Sequence, residues 1–147
     1  METRELHAYI QGPDLAAVTK WIESVVTDLD RKETIDLSNE IGQTLIKFHG
    51  KRDLLLLEQL VDTEWLELTV RPRVRDSIFA EWDHIKLGER LVDDLGGITL
   101  VDCCGIYTDP LSDQIVRISS DKMELVELPA TVYEPLDESM TQLIKRR

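Results

Sequence analysis

The stretch DHIKLGERLVDDLGGITLVDCC, residues 83–104, decides the fold, because a helix, a glycine stop and a strand follow one another within it. Gly96 and Gly97 come directly after the helical part, and glycine closes a helix in the left-handed conformation without a Cβ penalty. Residues 98–101 are apolar or β-branched on both faces, which is typical of a central strand covered on each side. The helix is indicated by apolar residues spaced along one face: Leu87, Leu91, Val92 and Leu95.

The start of this helix is open to two interpretations. Ile78, Phe79 and Trp82 also share a helical face, but that face lies nearly opposite the later one. One straight helix over 76–95 would therefore turn an apolar stripe into solvent. Either the helix kinks near Gly88, or residues 77–82 form a strand and Asp83 caps a new helix. The second alternative is preferred.

The first third of the chain predicts a strand, a helix and a connection. Residues 5–11 alternate as a strand does, and the turn Gly12-Pro13-Asp14 starts a helix. That helix is expected to end near residues 28–30, and the polar segment 30–42 to be a long irregular connection. Its apolar stripe is the most regular in the chain: Leu15, Val18, Ile22, Val25, Val26 and Leu29.

The remaining segments predict mainly antiparallel strands. Residues 44–70 have the alternation of a meander, with a strand preferred over a helix for 53–61. Residues 115–119 and 123–128 predict a hairpin. After a linker that starts near residue 130, Asp137–Arg147 is compatible with a short C-terminal helix whose charges match the helix dipole.

These elements predict one domain over residues 1–147, long enough to bury a core without disulfides or metals. The fold class is α+β: a mainly antiparallel sheet with two principal helices packed on it. The order strand, helix, strands, helix, strand indicates a ferredoxin-like βαββαβ core with extra strands.

Composition excludes several classes of function. The net charge of −12 argues against binding to nucleic acid or to anionic membranes, both of which need basic patches. The N-terminus has no apolar signal region, and the longest aliphatic run, Leu54–Leu57, is far too short to cross a membrane. The only cysteines, Cys103 and Cys104, are adjacent, and neighbouring Cα atoms at about 3.8 Å are closer than the usual disulfide geometry, which favours reduced thiols. A cytoplasmic protein is expected.

Neither cofactor nor metal motifs are present. His7, His49 and His84 are scattered without metal-binding spacing, and the glycine pair follows a helix rather than a strand, unlike a phosphate loop. No catalytic residues and no cofactor are predicted.

Two groups of residues remain as binding candidates. The sequence from residue 76 onward carries the larger excess of acidic residues, and Trp65 is out of phase with its apolar neighbours, as an exposed partner anchor would be. The acidic candidates are Glu89, Asp93, Asp94 and Asp113. The end of the strand 98–104 gives the second group, namely Asp102, Cys104, Tyr107 and Asp109. The basic cluster Arg71, Arg73 and Arg75 is interpreted as an exposed sheet edge.

Three functions are compatible with these features. The first is a small binding module with a basic protein as its partner, for example an immunity protein or antitoxin that neutralises a basic toxin. The second is an enzyme or small-molecule-binding protein with its site at the end of the strand 98–104. The third is an oligomeric structural subunit that pairs through exposed strands of 44–70.

Overall fold

The computed structural model of the protein describes residues 5–37, 43–59, 65–102 and 114–127. In these ranges, helices α1 (Leu15–Val25) and α2 (His84–Leu95) and a 3-10 helix (Ile78–Glu81) accompany an eight-stranded sheet. The predicted α+β class is therefore confirmed. The strands are β1 (Leu6–Gln11), β2 (Leu29–Leu37), β3 (Gln43–Gly50), β4 (Asp53–Gln59), β5 (Trp65–Pro72), β6 (Ile98–Asp102), β7 (Gln114–Ile118) and β8 (Met123–Glu127).

The strand order across the sheet is β2-β3-β4-β5-β1-β6-β7-β8, and every neighbouring pair is antiparallel. β1 thus lies between β5 and β6, and the chain reaches β2 at the far edge after α1. Four strands separate the two helices where a βαββαβ unit has two. The ferredoxin-like order is not confirmed, because the strand order differs and segment 30–42 contributes an additional strand.

The prediction of an irregular connection over residues 30–42 is wrong for its described part, because residues 30–37 belong to β2. Residues 30–34 are exposed on both faces, so the polar sequence is that of an edge strand rather than of a loop. Pairing of Thr34 with Ile46 and of Lys32 with Phe48 holds β2 to β3. Helix α1 consequently ends at Val25, earlier than its apolar stripe suggested.

The preferred strand over residues 77–82 is also wrong, because most of that segment is the 3-10 helix. Ser77 caps it by accepting a hydrogen bond from the Phe79 amide, and Phe79 is 1% exposed in the core. The change of apolar face between residues 78–82 and 87–95 nevertheless indicated correctly that a new helix starts after Asp83. Asp83 caps α2 as predicted, since its side chain accepts a 2.7 Å hydrogen bond from the Lys86 amide.

The helix, glycine stop and strand of residues 83–102 are confirmed. Gly96 and Gly97 have φ angles of +75° and +79°, in the left-handed region that favours glycine. A Cβ on Gly97 would overlap the carbonyl oxygen of Gln11, so β1 and the turn touch through backbone alone. Gly88 also allows a close approach, in this case of α2 to the sheet, because a Cβ there would lie 2.8 Å from Ile118 Cδ1.

The main core lies between the sheet and the helices. Leu68, Leu55 and Phe48 are fully buried there beneath α1, and Leu87 and Leu91 of α2 complete it. The opposite face of the central strands is buried as well, which confirms the prediction of a strand covered on both faces at 98–101. The buried side chains of that opposite face are Tyr9, Trp65, Leu100 and Ile115.

The strand interpretation of residues 53–59 and the hairpin prediction are also confirmed, as β4 and as β7 with β8. Ser119 donates a 2.8 Å hydrogen bond to Asp121 in the turn of that hairpin. The hydrogen bond from Ser119 is the main cause that holds the pKa of the Asp121 carboxyl below its ordinary value. The predicted C-terminal helix, Asp137–Arg147, lies outside the described residues.

Candidate protein-binding surface

Helix α2 carries the predicted acidic residues, and its orientation is fixed at three points. Asp83 caps its N-terminus, Gly88 lets it pack closely against β6 and β7, and Gly96 ends it at a φ of +75°. A helix held in this way presents its outer side chains in fixed positions, which lowers the entropy lost on binding a partner.

The flanks of α2 face different neighbours. Asp94 points towards α1, because its carboxylate accepts a 2.7 Å hydrogen bond from Trp21 Nε1. Glu89 is five positions away, which places it about 140° around the helix at about 100° per residue. Since α1 lies over β4 and α2 over β6, β1 and β7, the flank of Glu89 faces β7 and β8.

Glu89 and Asp93 are the acidic residues of α2 that remain open to a partner. Both are exposed, and neither has an ion pair within 4.0 Å among the described residues. Carboxylates in this state attract cations over a distance set by the salt concentration. The structure thus places two of the predicted binding residues together, one helical turn apart.

Asp94 has a structural partner instead. In addition to the bond from Trp21, it lies 3.7 Å from Arg90 Nη2 in an i,i+4 ion pair. Its carboxylate joins α1 to α2. Asp94 thus has a structural role, and binding to a partner, as predicted from the sequence, would be a second role.

Trp65 offers no surface to a partner in this structure, since its side chain is only 2% exposed. It begins β5 opposite Gln11 and lies on the sheet face away from the helices. The alternation that suggested an exposed position has a different cause. Both faces of β5 are buried along most of its length, because β5 is a central strand.

The second group of predicted residues is described only at Asp102, the last residue of β6, whose backbone pairs with Ile115. Cys104, Tyr107, Asp109 and Asp113 lie outside the described residues. A site at this strand end stays a prediction.

An open cleft of about 570 Å³ lies at the other end of β6. It is formed where the turn after β1 meets the glycine turn after α2, at Gly12 and Gly97. Asp14 is the one charged residue among its described lining residues. Its side chain already caps α1, because it accepts a 2.8 Å hydrogen bond from the Ala17 amide. The lining residues are Gln11, Gly12, Pro13, Asp14, Gln59, Gly97 and Ile98.

A buried acidic residue that the sequence did not reveal lies where β4 begins. Asp53 is 2% exposed and accepts a 2.5 Å hydrogen bond from the Ser77 hydroxyl. Burial raises the pKa of the Asp53 carboxyl above its usual value, although the hydrogen bond from Ser77 opposes this. Asp28 adds a like charge nearby, and Arg52 lies 3.5 Å from the Asp28 carboxylate. Because these residues are far apart in the sequence, no spacing indicates the cluster.

A basic and aromatic group also lies on the outside of α2. Lys86 and Arg90 lie over the Trp82 ring, at 5.8 and 5.4 Å from its centroid. Trp82 itself packs edge-on against Phe79 with ring centroids 4.8 Å apart. The i,i+4 spacing of Lys86 and Arg90 on α2 was present in the sequence, whereas Trp82 lies before the cap of that helix, where helical spacing does not apply.

The arginine cluster is not at a sheet edge, contrary to the sequence interpretation. Arg71 belongs to β5, which is paired on both sides, and lies 3.2 Å from the Glu5 carboxylate. Arg73 and Arg75 follow the end of that strand and are exposed. Their strand-like spacing therefore does not identify an edge.

The histidines are closer together than the sequence indicated. His7 and His84 stack with ring centroids 6.3 Å apart, and His84 Nδ1 accepts a 3.1 Å hydrogen bond from the His7 amide. No group of three or more His, Cys, Asp or Glu residues suited to a metal ion occurs in the described ranges.

Within the same ranges, no helix has both the length and the apolar character needed to cross a membrane. Comparisons with protein-family models, with curated proteins and with solved structures give no match for this chain.

Proposed function

We propose that this protein is a small binding module that captures a partner with a basic surface through the exposed carboxylates of α2. The observation that carries the proposal is that Glu89 and Asp93 are exposed, unpaired among the described residues and mounted on a helix fixed at both ends. The net charge of −12 adds a long-range attraction for cationic proteins.

An immunity protein or antitoxin that neutralises a basic toxin in the cytoplasm is the concrete form of this proposal. Neutralisation needs fast association, and complementary charge raises the association rate more than it raises the affinity. A small chain with fixed carboxylates meets that need without any catalytic group. The alternative of an enzyme site at the end of β6 depends on residues outside the described part and is not preferred.

The strand order does not support the alternative of an oligomeric subunit that pairs through strands of 44–70. β3, β4 and β5 are each paired on both sides, so the described strands between residues 44 and 70 have no free edge for another subunit. Among the described strands, the edges are β2 and β8.

The proposal is tested by capture from the native cell with three forms of the protein. The wild type should retain a basic protein, with retention falling as salt is raised. The double variant Glu89→Lys with Asp93→Lys should lose that protein by about tenfold or more. A charge-matched control, Asp30→Lys with Glu33→Lys, changes exposed residues of β2 at the opposite edge and should capture as the wild type does.

Equal capture by both double variants would show that the α2 carboxylates are not the binding surface. A retained protein that is toxic when expressed alone, and harmless when this chain is co-expressed, would support the immunity or antitoxin form. A retained protein without a basic surface would contradict the proposal.

A further inference from the structure

The two edges of the described sheet differ in how they resist pairing with another chain. Residues 30–34 of β2 include Asp30, Arg31, Lys32 and Glu33, all exposed, and charged side chains of this kind protect an edge from added strands. At β8, the described side chains on the face that carries the helices are apolar instead. Met123 and Leu125 lie on that face and are 48% and 50% exposed.

The exposed pair on β8 is unusual for this molecule. Only four large apolar side chains of the described residues are exposed, and Met123 and Leu125 are two of them. They follow Ile118 and Val116 across the hairpin, which are buried beneath α2. The apolar face of the sheet thus continues one strand beyond the helix that covers it.

The charge on the other face of β8 is already neutralised. Glu124 lies 3.2 Å from Arg117 and 3.4 Å from Lys122. Among the described side chains, the carboxylates near this edge that have neither an ion pair nor a hydrogen bond are Glu89 and Asp93 of α2. Glu89 is on the flank of α2 that faces β7 and β8, and Asp93 is exposed one turn further along.

A second copy of the chain does not suit this edge. Antiparallel pairing of β8 with its own copy keeps both α2 helices on the same face of a continuous sheet, with their Glu89 flanks turned towards each other. Like charges would then meet at the junction of two molecules that each carry a net charge of −12. A cationic segment has the complementary charge.

We infer that β8 is the docking edge for the partner. An extended segment of the basic protein adds to β8 as a further antiparallel strand. Its side chains on the helix face alternate between apolar residues, which cover Met123 and Leu125, and lysine or arginine, which reach Glu89 and Asp93. Backbone hydrogen bonds to the outer side of β8 give the affinity, and this one face gives the specificity. This inference rests on the proposed function and assigns it a binding mode.

The probe is a nine-residue peptide in which valine and lysine alternate on one face and threonine fills the other. Its binding is measured by fluorescence anisotropy at low salt, where the Debye length is about 30 Å, and located by amide hydrogen exchange. The expected result is slower exchange of β8 amides with no change in β2. The same peptide with glutamate in place of lysine should bind about tenfold more weakly or worse.

Three variants separate the binding mode from the charge. Met123→Lys with Leu125→Lys should weaken the peptide about tenfold or more and abolish the protection of β8, since it removes apolar contacts and adds like charge. Glu89→Lys with Asp93→Lys should weaken binding to a similar degree. The control Asp30→Lys with Glu33→Lys should bind as the wild type does.

The outcomes distinguish the two proposals. If the α2 variant weakens binding while the β8 variant does not, the acidic surface stands and strand addition is overturned. If the α2 variant binds as tightly as the wild type, the proposed function fails as well. Absence of peptide binding, protection outside β8, or a dimer that protects β8 without peptide would each overturn strand addition by a cationic partner.

Discussion

At the scale of single residues, Asp53 is the side chain whose behaviour the structure defines most sharply. Its carboxyl group is buried beside Ser77, and Ser77 in turn caps the 3-10 helix that places Phe79 in the core. A buried carboxylate is costly unless it is hydrogen-bonded, and here one hydroxyl partially compensates. The raised pKa of Asp53 records what remains uncompensated.

The consequence is a stability that depends on pH in a defined direction. Because the pKa of Asp53 in the folded state lies above the ordinary value of a free carboxyl group, the folded state keeps its proton over a pH range in which the unfolded state releases it. The contribution of Asp53 to stability is therefore fully present below the unfolded pKa and is lost as pH rises through the folded pKa. We expect Asp53→Asn to remove this decrease in the free energy of unfolding with rising pH. Urea unfolding at several pH values measures it.

Asp30→Asn is the matched control, because Asp30 is exposed on β2. It should leave the pH dependence as in the wild type. A stability profile that is the same for the wild type and Asp53→Asn would show that burial of Asp53 has no energetic effect on folding.

At the scale of elements, the turn between α2 and β6 offers a comparison of two adjacent glycines. Both have positive φ angles, but a Cβ on Gly96 meets nothing within 4 Å whereas one on Gly97 overlaps the Gln11 carbonyl of β1. The first position requires glycine for its conformation alone. The second requires it for conformation and for contact between backbones.

We expect Gly96→Ala to lower the free energy of unfolding by about 2 kcal/mol, because a φ of +75° with a ψ of −164° lies in a region that is essentially restricted to glycine. Gly97→Ala should lower it by at least about 3 kcal/mol, since β1 and β6 must also move apart. Denaturant unfolding of both variants measures the difference. Equal losses would mean that the contact between Gly97 and Gln11 relaxes freely.

The elements that the sequence predicted well are those with one face in the core. α2 and β6 were predictable because buried residues such as Leu87 and Leu91 repeat with the period of their element. β2 was not, since residues 30–34 are exposed and leave no apolar period to detect. The 3-10 helix is a single turn, too short for any period to distinguish it from a strand.

The candidate binding surface was likewise predictable only in part. Glu89 and Asp93 follow from the helical pattern, because a polar residue opposite an apolar stripe faces solvent. The exposed edge of β8 required the strand order, which depends on pairings between distant segments such as β1 with β5 and β6. The exposed position suggested for Trp65 is wrong for a related reason, since alternation identifies an outer face only when one side of a strand is solvated.

At the scale of the whole molecule, the charge of −12 acts on stability as well as on binding. Self-repulsion among excess carboxylates opposes the compact state, and added salt screens it. We expect the free energy of unfolding in urea to rise by roughly 1 kcal/mol between about 10 and 150 mM NaCl.

The double variant Asp30→Lys with Glu33→Lys has less negative charge at an exposed edge. The same addition of salt should therefore raise its free energy of unfolding by less than that of the wild type. A larger gain in this variant than in the wild type would contradict self-repulsion as the cause. Capture of the partner should show the opposite trend. Added salt should weaken capture and stabilise the folded protein.

The central position of β1 has a consequence for how the chain acquires its structure during synthesis. β1 is made first, yet its two neighbours, β5 and β6, end at Pro72 and Asp102. Within the meander β2–β5, each strand pairs with the next one in the sequence, so these four strands can pair with one another before β6 is made. Because β6 is made after β1 and β5, the pairing of β1 on both sides is completed late, although β1 precedes the other strands of the sheet in the sequence.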